Sequence, residues 1–479
     1  MRSLLLTSLS FGRLRVALLF VGVFSAACLL PAQADTYWHL RAGQDLFATG
    51  HVPLVETYSH TARGLPWPNH EWLWQALSYA LYCVGGMPLL TGAAALVSTA
   101  ACALSYRLMR TPPAASFVLA LLGIALASVV WALRPQVVSL FFLVALVTLL
   151  TRDTWWPIPP LFVLWANLHG AVALGGVILL TATTVSWFCD RRRTLRLALL
   201  TMGCGLLTAA TPMGPGLWRF IGESMARSRR NQIMEWMPSY PRGPIEIAFW
   251  VGAVALVALV AWRWRRLKSW DDRLVVAVSL VLLPLGARAV RNISPFFLLW
   301  MPAVSRLLGA DFRWPRPNAN ATARTTTQTP SSDHPVVNAA LLAIVGIGAI
   351  VAIAVAWRAP AERLGWRPIA PDALAAVRAC QGPLYNRYNE GGYLIWFAPT
   401  VPVFIDSRQD PYPADLLTAH TLAERTGDAT TLFAAYNIAC TFLPASSRVA
   451  KRLTDEHWLD RYRDADWVVQ SRPVTLPAR

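Results

Sequence analysis

Long apolar runs alternate with short polar breaks along this chain, and that alternation predicts a bundle of membrane-spanning helices. The first run, residues 16–32, follows Arg2, Arg13 and Arg15 and reads as a helix whose N-terminus lies on the positively charged side. Its end, Ala32-Gln33-Ala34, also has the form of a signal-peptidase site. An uncleaved helix is the preferred reading, because a polytopic chain follows. Residues 35–72 then form a polar external loop. Further spans are expected over 72–84, 89–108, 115–133, 136–150, 159–188, 195–210, 247–262, 274–287, 295–308 and 336–357, giving about eleven. Gly85-Gly86 and Pro88 separate two of them, and Arg134-Pro135 separates another pair. The run 159–188 is too long for one straight span. Asn167-Leu168-His169-Gly170 interrupts it and predicts a broken helix facing protein or a water-filled cavity.

Two further polar stretches divide the chain. Residues 212–246 form a second external loop with Pro, Gly, Arg and a Glu235-Trp236 pair. Residues 310–335, rich in Thr, Ser and Ala, read as a flexible cytoplasmic linker. No internal repeat is visible. Residues 1–357 are thus read as the transmembrane domain.

Beyond residue 358 the pattern changes to short strands and helices. Strands are expected over 393–397, 401–405, 439–443 and 467–470, with an Ala398-Pro399 turn between the first two. Helices are expected over 372–380 and 416–425. Residues 358–479 therefore read as a small α/β domain on the outer, periplasmic side of a bacterial inner membrane.

Counting from an inside N-terminus places the arginines at 191–196 and the run 263–268 inside, as the charge rule requires. The same count puts Arg134 inside, as a topology arginine. It puts Arg107, Arg110 and Arg291 outside, and the first two disagree with the rule.

Composition narrows the class. The chain has 479 residues, 55% hydrophobic and 14% charged, which excludes an ordinary soluble globule. A formal charge of +17 would indicate nucleic acid in a soluble protein. Here the arginines sit in loops between apolar runs, and topology accounts for them. Many of the 22 tryptophans fall at segment ends, as interfacial anchors do. Cys28, Cys83, Cys102, Cys189 and Cys204 lie in or beside spans and read as inert packing residues. Cys380 and Cys440 fall in the C-terminal region, where an oxidising compartment would permit a disulfide.

The candidate chemistry gathers in the first loop. Asp35 precedes an expected helix over 36–49 that stops at Gly50, and it shares a face with His39. As an N-cap, Asp35 would accept backbone N–H groups. Trp38, Leu46 and Phe47 of that helix would dip into the membrane surface. Glu71, after Asn69-His70, opens the next span, with Asn69 as a possible cap. A carboxylate at the membrane boundary can deprotonate a hydroxyl or hold a divalent cation. His39, His51, His60 and His70 lack zinc-site spacing. His169 lies at membrane depth, where ionisable residues usually line a functional cavity. Arg291, before Pro295, can bind a phosphate in bidentate fashion. Tyr393, Asp406 and Arg408 form the polar cluster of the C-terminal domain, the last two at an expected strand end.

The first loop, with Asp35, Tyr37-Trp38-His39-Leu40, Gly43, Gly50, Val52-Pro53, Trp67 and His70-Glu71-Trp72-Leu73, resembles that of a widespread, largely uncharacterised group of bacterial polytopic membrane proteins. The same group shows the Asn167-to-Gly170 element, the Arg291-Asn292 pair, and Gly391-Gly392-Tyr393-Leu394-Ile395-Trp396 followed by Asp406-x-Arg408. The sequence departs from the group at Leu54 and Glu56, where Arg and Asp are expected, and this leaves Glu56 outside the candidate set. The layout is similar to that of GT-C glycosyltransferases. Those enzymes carry a catalytic Asp or Glu in the first external loop and use polyprenyl-phosphate sugars.

The resemblance implies a glycosyltransferase that moves a sugar from such a donor to a cell-envelope acceptor. Asp35 would be the base, Glu71 a second carboxylate, and Mg or Mn a possible cofactor held by Asp35, Glu71 and His70. Trp38, His39, His70, His169, Arg291, Tyr393, Asp406 and Arg408 would contact substrate. The alternative from another class is a non-enzymatic scaffold or lipid-carrier transporter in polysaccharide assembly.

Overall fold

The computed structural model describes residues 9–128, 131–230, 234–312, 333–358 and 363–473. The expected linker over 310–335 falls mostly outside them.

The first helix, α1 (Phe11–Cys28), starts at Ser10, whose hydroxyl accepts from the Arg13 N–H. The second, α2 (Ala34–Thr49), ends at Gly50 in the left-handed conformation. Its N-cap is Gln33, in a capping box with Thr36. Asp35 is therefore not the cap but a first-turn residue whose side chain takes no part in capping.

Next comes α3 (Trp72–Arg107), kinked at Gly85 and Gly86. Gly86 has φ +62° and ψ −158°, a backbone state essentially restricted to glycine. The bundle continues with α4 (Pro113–Ala127), α5 (Gln136–Thr151), α6 (Ile158–Leu168), α7 (Val172–Trp187), α8 (Arg191–Leu207), α9 (Gly216–Arg230), α10 (Pro244–Arg263), α11 (Trp270–Arg288), α12 (Ile293–Leu308) and α13 (Pro335–Arg358). Among the described residues, α1, α3, α13 and α10 with its short extension to Arg266 are long and apolar enough to cross a membrane. Helices α4 to α7 are shorter and equally apolar. α12 is buried from Ile293 to Leu307 and forms the centre of the bundle.

The contacts revise the expected topology. Residues 72–84 do not cross the bundle. They lie beside α2, with Tyr79 against Phe47, and Tyr82 meets Trp396 of the C-terminal region. The remainder of α3 runs to the far end, where Tyr106 packs on Phe20. Arg110 there pairs with Asp271 and with Asp272 at 3.2 Å, and Arg193 lies over Trp270. Arg107 and Arg110 thus share an end with the arginines at 191–196, and their conflict with the charge rule disappears. The same change of parity moves Arg134 to the opposite end, beside Asp35. The interrupted run at 159–188 folds back on itself: Gly175 of α7 packs against Phe162 and Trp165 of α6. His169 sits in the turn.

Residues 212–246 are not a plain loop. Leu217, Phe220, Ile221 and Met225 recur at helical spacing, and α9 turns that face inward, with Leu217 fully buried.

The C-terminal region contains α14 (Pro371–Ala379), β1 (Leu384–Asn386), α15 (Gly391–Phe397), α16 (Ala414–Thr426), α17 (Thr430–Ala435), β2 (Cys440–Pro444), α18 (Arg448–Asp455), β3 (Leu459–Arg463) and β4 (Trp467–Ser471). The sheet order is β1-β2-β4-β3, with β1 and β2 parallel and the other pairs antiparallel. Cys380 and Cys440 form a disulfide.

Two expected strands differ. Residues 393–397 lie in helix α15, which packs on α2. Residues 401–405 contribute a single bridge, Val403 with Ser59 of the first loop. The reason for the first difference is a close approach. A Cβ on Gly392 would stand 2.2 Å from the Ala34 carbonyl oxygen. Packing of α15 on α2 overrides the strand preference of a short apolar run. Gly392→Val is therefore expected to destabilise the fold by roughly 2–3 kcal/mol or more. Thermal unfolding of the purified variant in detergent measures it.

The first loop and the C-terminal region share their cores. Trp38, Tyr58 and Trp67 are buried with Leu374, Leu384, Val403 and Phe442, and Ala62 is buried with Tyr385 and Phe404. Trp38, 6% exposed, is thus packed in protein rather than dipping into lipid.

Candidate active site

Asp35, Trp38, His39, Asn69, His70 and Glu71 of the first loop face a cavity of about 370 Å³ between the bundle and the C-terminal region. Asp35, Trp38, His39, His70, Glu71, His169, Arg291 and Arg408 all line it. Tyr393 and Asp406 do not. Tyr393 packs edge-on to Tyr37, and Asp406 is fully buried beneath the cavity wall.

Asp35 reaches the cavity from the first turn of α2. Its Oδ1 accepts the Trp38 indole N–H at 3.2 Å and the Ser407 hydroxyl. Its Oδ2 stands 2.9 Å from Nε of Arg134. The carboxylate is thus held from three directions, by its own helix, by the loop before α5 and by the C-terminal region.

Glu71 occupies the N-cap position of α3 but makes no side-chain cap bond. Asn69, expected to cap, instead exchanges side-chain hydrogen bonds with Gln75. Glu71 faces three imidazoles. The Nε2 atoms of His39, His70 and His169 lie 3.6, 3.5 and 3.6 Å from its oxygens. Trp165 donates its indole N–H to the Ser139 hydroxyl, and that hydroxyl lies 2.7 Å from Nδ1 of His169.

Electrostatics separate these groups. Burial opposes the Glu71 charge, but the imidazoles of His70, His39 and His169 hold its carboxyl well below the usual range. Burial also opposes protonation of His70, yet the carboxylate of Glu71 beside it raises its pKa overall. His39, fully buried and only partly compensated by Glu71, is lowered to about 3 and stays neutral. Across the cavity, burial raises Asp410 to about 6, against the pull of His70 and Arg227.

Two arginines complete the polar lining. Arg291 stacks over Trp236 at 4.3 Å and donates to Glu235 at 3.2 Å. Arg134 lies 3.5 Å from the other oxygen of Glu235. The opposite wall is apolar, made by Ala173, Leu174 and Val177 of α7 with Phe220, Ile221 and Met225 of α9. Among the described residues, no group of three or more His, Cys, Asp or Glu side chains is placed to hold a metal ion.

Sequence reasoning missed four of these contributors. Arg134 was placed at the wrong end by the span parity. Glu235 stood out only as part of a polar pair, and Ser407 and Asp410 only as neighbours of Asp406. Glu56, set aside as a departure from the group's pattern, is fully buried 2.6 Å from Nη1 of Arg408. Arg408 in turn makes two hydrogen bonds to Asp406, at 2.8 and 2.6 Å. This network fixes the 407–410 turn that carries Ser407 and Asp410 to the cavity.

No protein-family model matches the chain, and no curated protein matches its sequence. Solved structures do share its fold. The oligosaccharyltransferase of Archaeoglobus fulgidus, tethered to an acceptor peptide with an NVT sequon, aligns with a TM-score of 0.57 and 10% identity, covering 90% of this chain and 68% of that one. The same organism's AglB, in complex with an inhibitory peptide and a dolichol-phosphate, aligns with a TM-score of 0.54 and 9% identity, covering 89% and 69%. At such identity the likeness establishes the fold alone.

Proposed function

We propose that this chain is an integral membrane glycosyltransferase that moves a sugar from a polyprenyl-phosphate-linked donor to a cell-envelope acceptor. It would sit in the bacterial inner membrane with the C-terminal region in the periplasm. One observation carries the reading: Asp35, just past the first helix, shares a cavity with Glu71, Arg134 and Arg291, opposite an apolar wall. A lipid-linked sugar phosphate needs such a combination. Its isoprenoid requires apolar surface, its phosphate requires arginine, and its reacting carbon requires a carboxylate nearby. The GT-C fold agrees with this reading.

In the proposed reaction the acceptor oxygen attacks the anomeric carbon, and the bond from that carbon to the phosphate oxygen breaks. The electron pair leaves with the phosphate, and the acceptor proton passes to Asp35. Arg291 and Arg134 stabilise the charge that develops on the departing phosphate. The Glu71–His70 pair, with neutral His39 and His169, fixes the floor of the cavity. Among the described residues Asp35, Glu71 and His70 do not converge into a site for a divalent cation, and no step is routed through one.

The decisive assay uses the full chain in detergent or liposomes with a panel of radiolabelled polyprenyl-phosphate hexoses and pentoses. Release of free polyprenyl phosphate, with the sugar on an envelope acceptor or on water, is the expected outcome. Lipid movement across the bilayer with every sugar bond intact would replace the enzymatic reading by that of a carrier.

A further inference from the structure

Glu235 is an unusual carboxylate in this cavity. Each of its oxygens faces a different arginine: Oε1 accepts from Arg291 at 3.2 Å, and Oε2 lies 3.5 Å from Nη1 of Arg134. Those arginines come from distant parts of the chain, one before α5 and the other in the short turn Val290–Asn292 before α12. A single anion bridging two guanidiniums through two oxygens is the arrangement a phosphate group adopts.

Glu235 itself is weakly built in. Its side chain is 35% exposed, it sits in the short 3₁₀ turn Met234–Trp236, and its contacts are long. Glu56 makes the contrast. It is fully buried, accepts two backbone N–H groups at 2.8 and 2.7 Å, and meets Arg408 at 2.6 Å. Glu56 holds structure together, whereas Glu235 only neutralises two arginines. Those arginines keep other supports without it. Arg291 stays stacked on Trp236, and Arg134 stays paired with Asp35 through Nε.

We propose that Glu235 occupies the seat of the donor's phosphate, and that a polyprenyl phosphate displaces it to bridge Arg134 and Arg291. This rests on the lipid-donor reading and names the part of the site that takes the headgroup. A phosphate and the Glu235 carboxylate cannot share the seat, because two anions at this range repel. The swap also has a chemical result. A phosphate in the seat meets Nη1 of Arg134 while Nε keeps Oδ2 of Asp35, so one guanidinium holds the donor headgroup beside the base.

The test is binding to the full chain in detergent, with decaprenyl phosphate, decaprenol and inorganic phosphate as separate probes. The wild type should bind decaprenyl phosphate more tightly than decaprenol, and inorganic phosphate only weakly. Glu235→Gln should tighten decaprenyl phosphate binding about tenfold, while Glu235→Asp should stay near wild type. Arg291→Gln should weaken it at least tenfold. Unchanged or weaker binding by Glu235→Gln, in a protein whose wild type binds the lipid phosphate, overturns the placeholder and leaves the lipid-donor reading standing. Equal wild-type affinity for decaprenyl phosphate and decaprenol overturns both. A purely structural Glu235 would weaken binding on substitution, so the sign of the change separates the two roles.

Discussion

Replacing Asp35 by Asn is expected to lower sugar transfer by about 10²–10⁴-fold, the usual contribution of a positioned general base. The substitution keeps the shape of the side chain and can still accept the Trp38 and Ser407 hydrogen bonds, so the α2 turn should persist. What it removes is the charge opposite Arg134 and the ability to take a proton. The measurement is initial rate of label transfer from the polyprenyl-phosphate sugar, alongside the thermal unfolding midpoint of the same preparation. A rate close to wild type would take Asp35 out of the chemistry. A collapsed midpoint would instead assign it to the joint between α2 and the C-terminal region.

The second large effect concerns stability. Arg408→Met should cost about 3–5 kcal/mol, because it strands two buried carboxylates, Glu56 and Asp406. Glu56→Ala should cost less, since Arg408 keeps Asp406 and lies over Tyr58 and Trp67 at 4.8 and 4.5 Å. Denaturant unfolding followed by tryptophan fluorescence gives both values. The ordering matters more than either number. If Glu56→Ala were the more damaging, the centre of the network would be the loop carboxylate rather than the guanidinium.

Much of this arrangement was legible in the sequence, for identifiable reasons. Asp35 and Glu71 stand at the two ends of the first polar loop, where hydrophobic periodicity stops, and such positions can be read from one chain. His169 was visible because a polar tetrapeptide inside an apolar run demands an explanation. Arg134 was not, because one wrongly counted crossing inverts the side of every loop until a second error restores it. Residues 72–84 caused that inversion: they are apolar enough to span, yet they lie beside α2 and touch the C-terminal region. α15 was misread for want of length, since seven apolar residues carry no reliable period. The Glu56–Arg408 pair was beyond reach, because its members lie at opposite ends of the chain and no spacing links them.

The shared core of the first loop and the C-terminal region has a consequence for biogenesis. The first polar loop is synthesised well before residues 374–442, which supply packing partners for Trp38, Tyr58 and Trp67. A product stalled before those residues would therefore lack one wall of the cavity that Asp35 and Glu71 line.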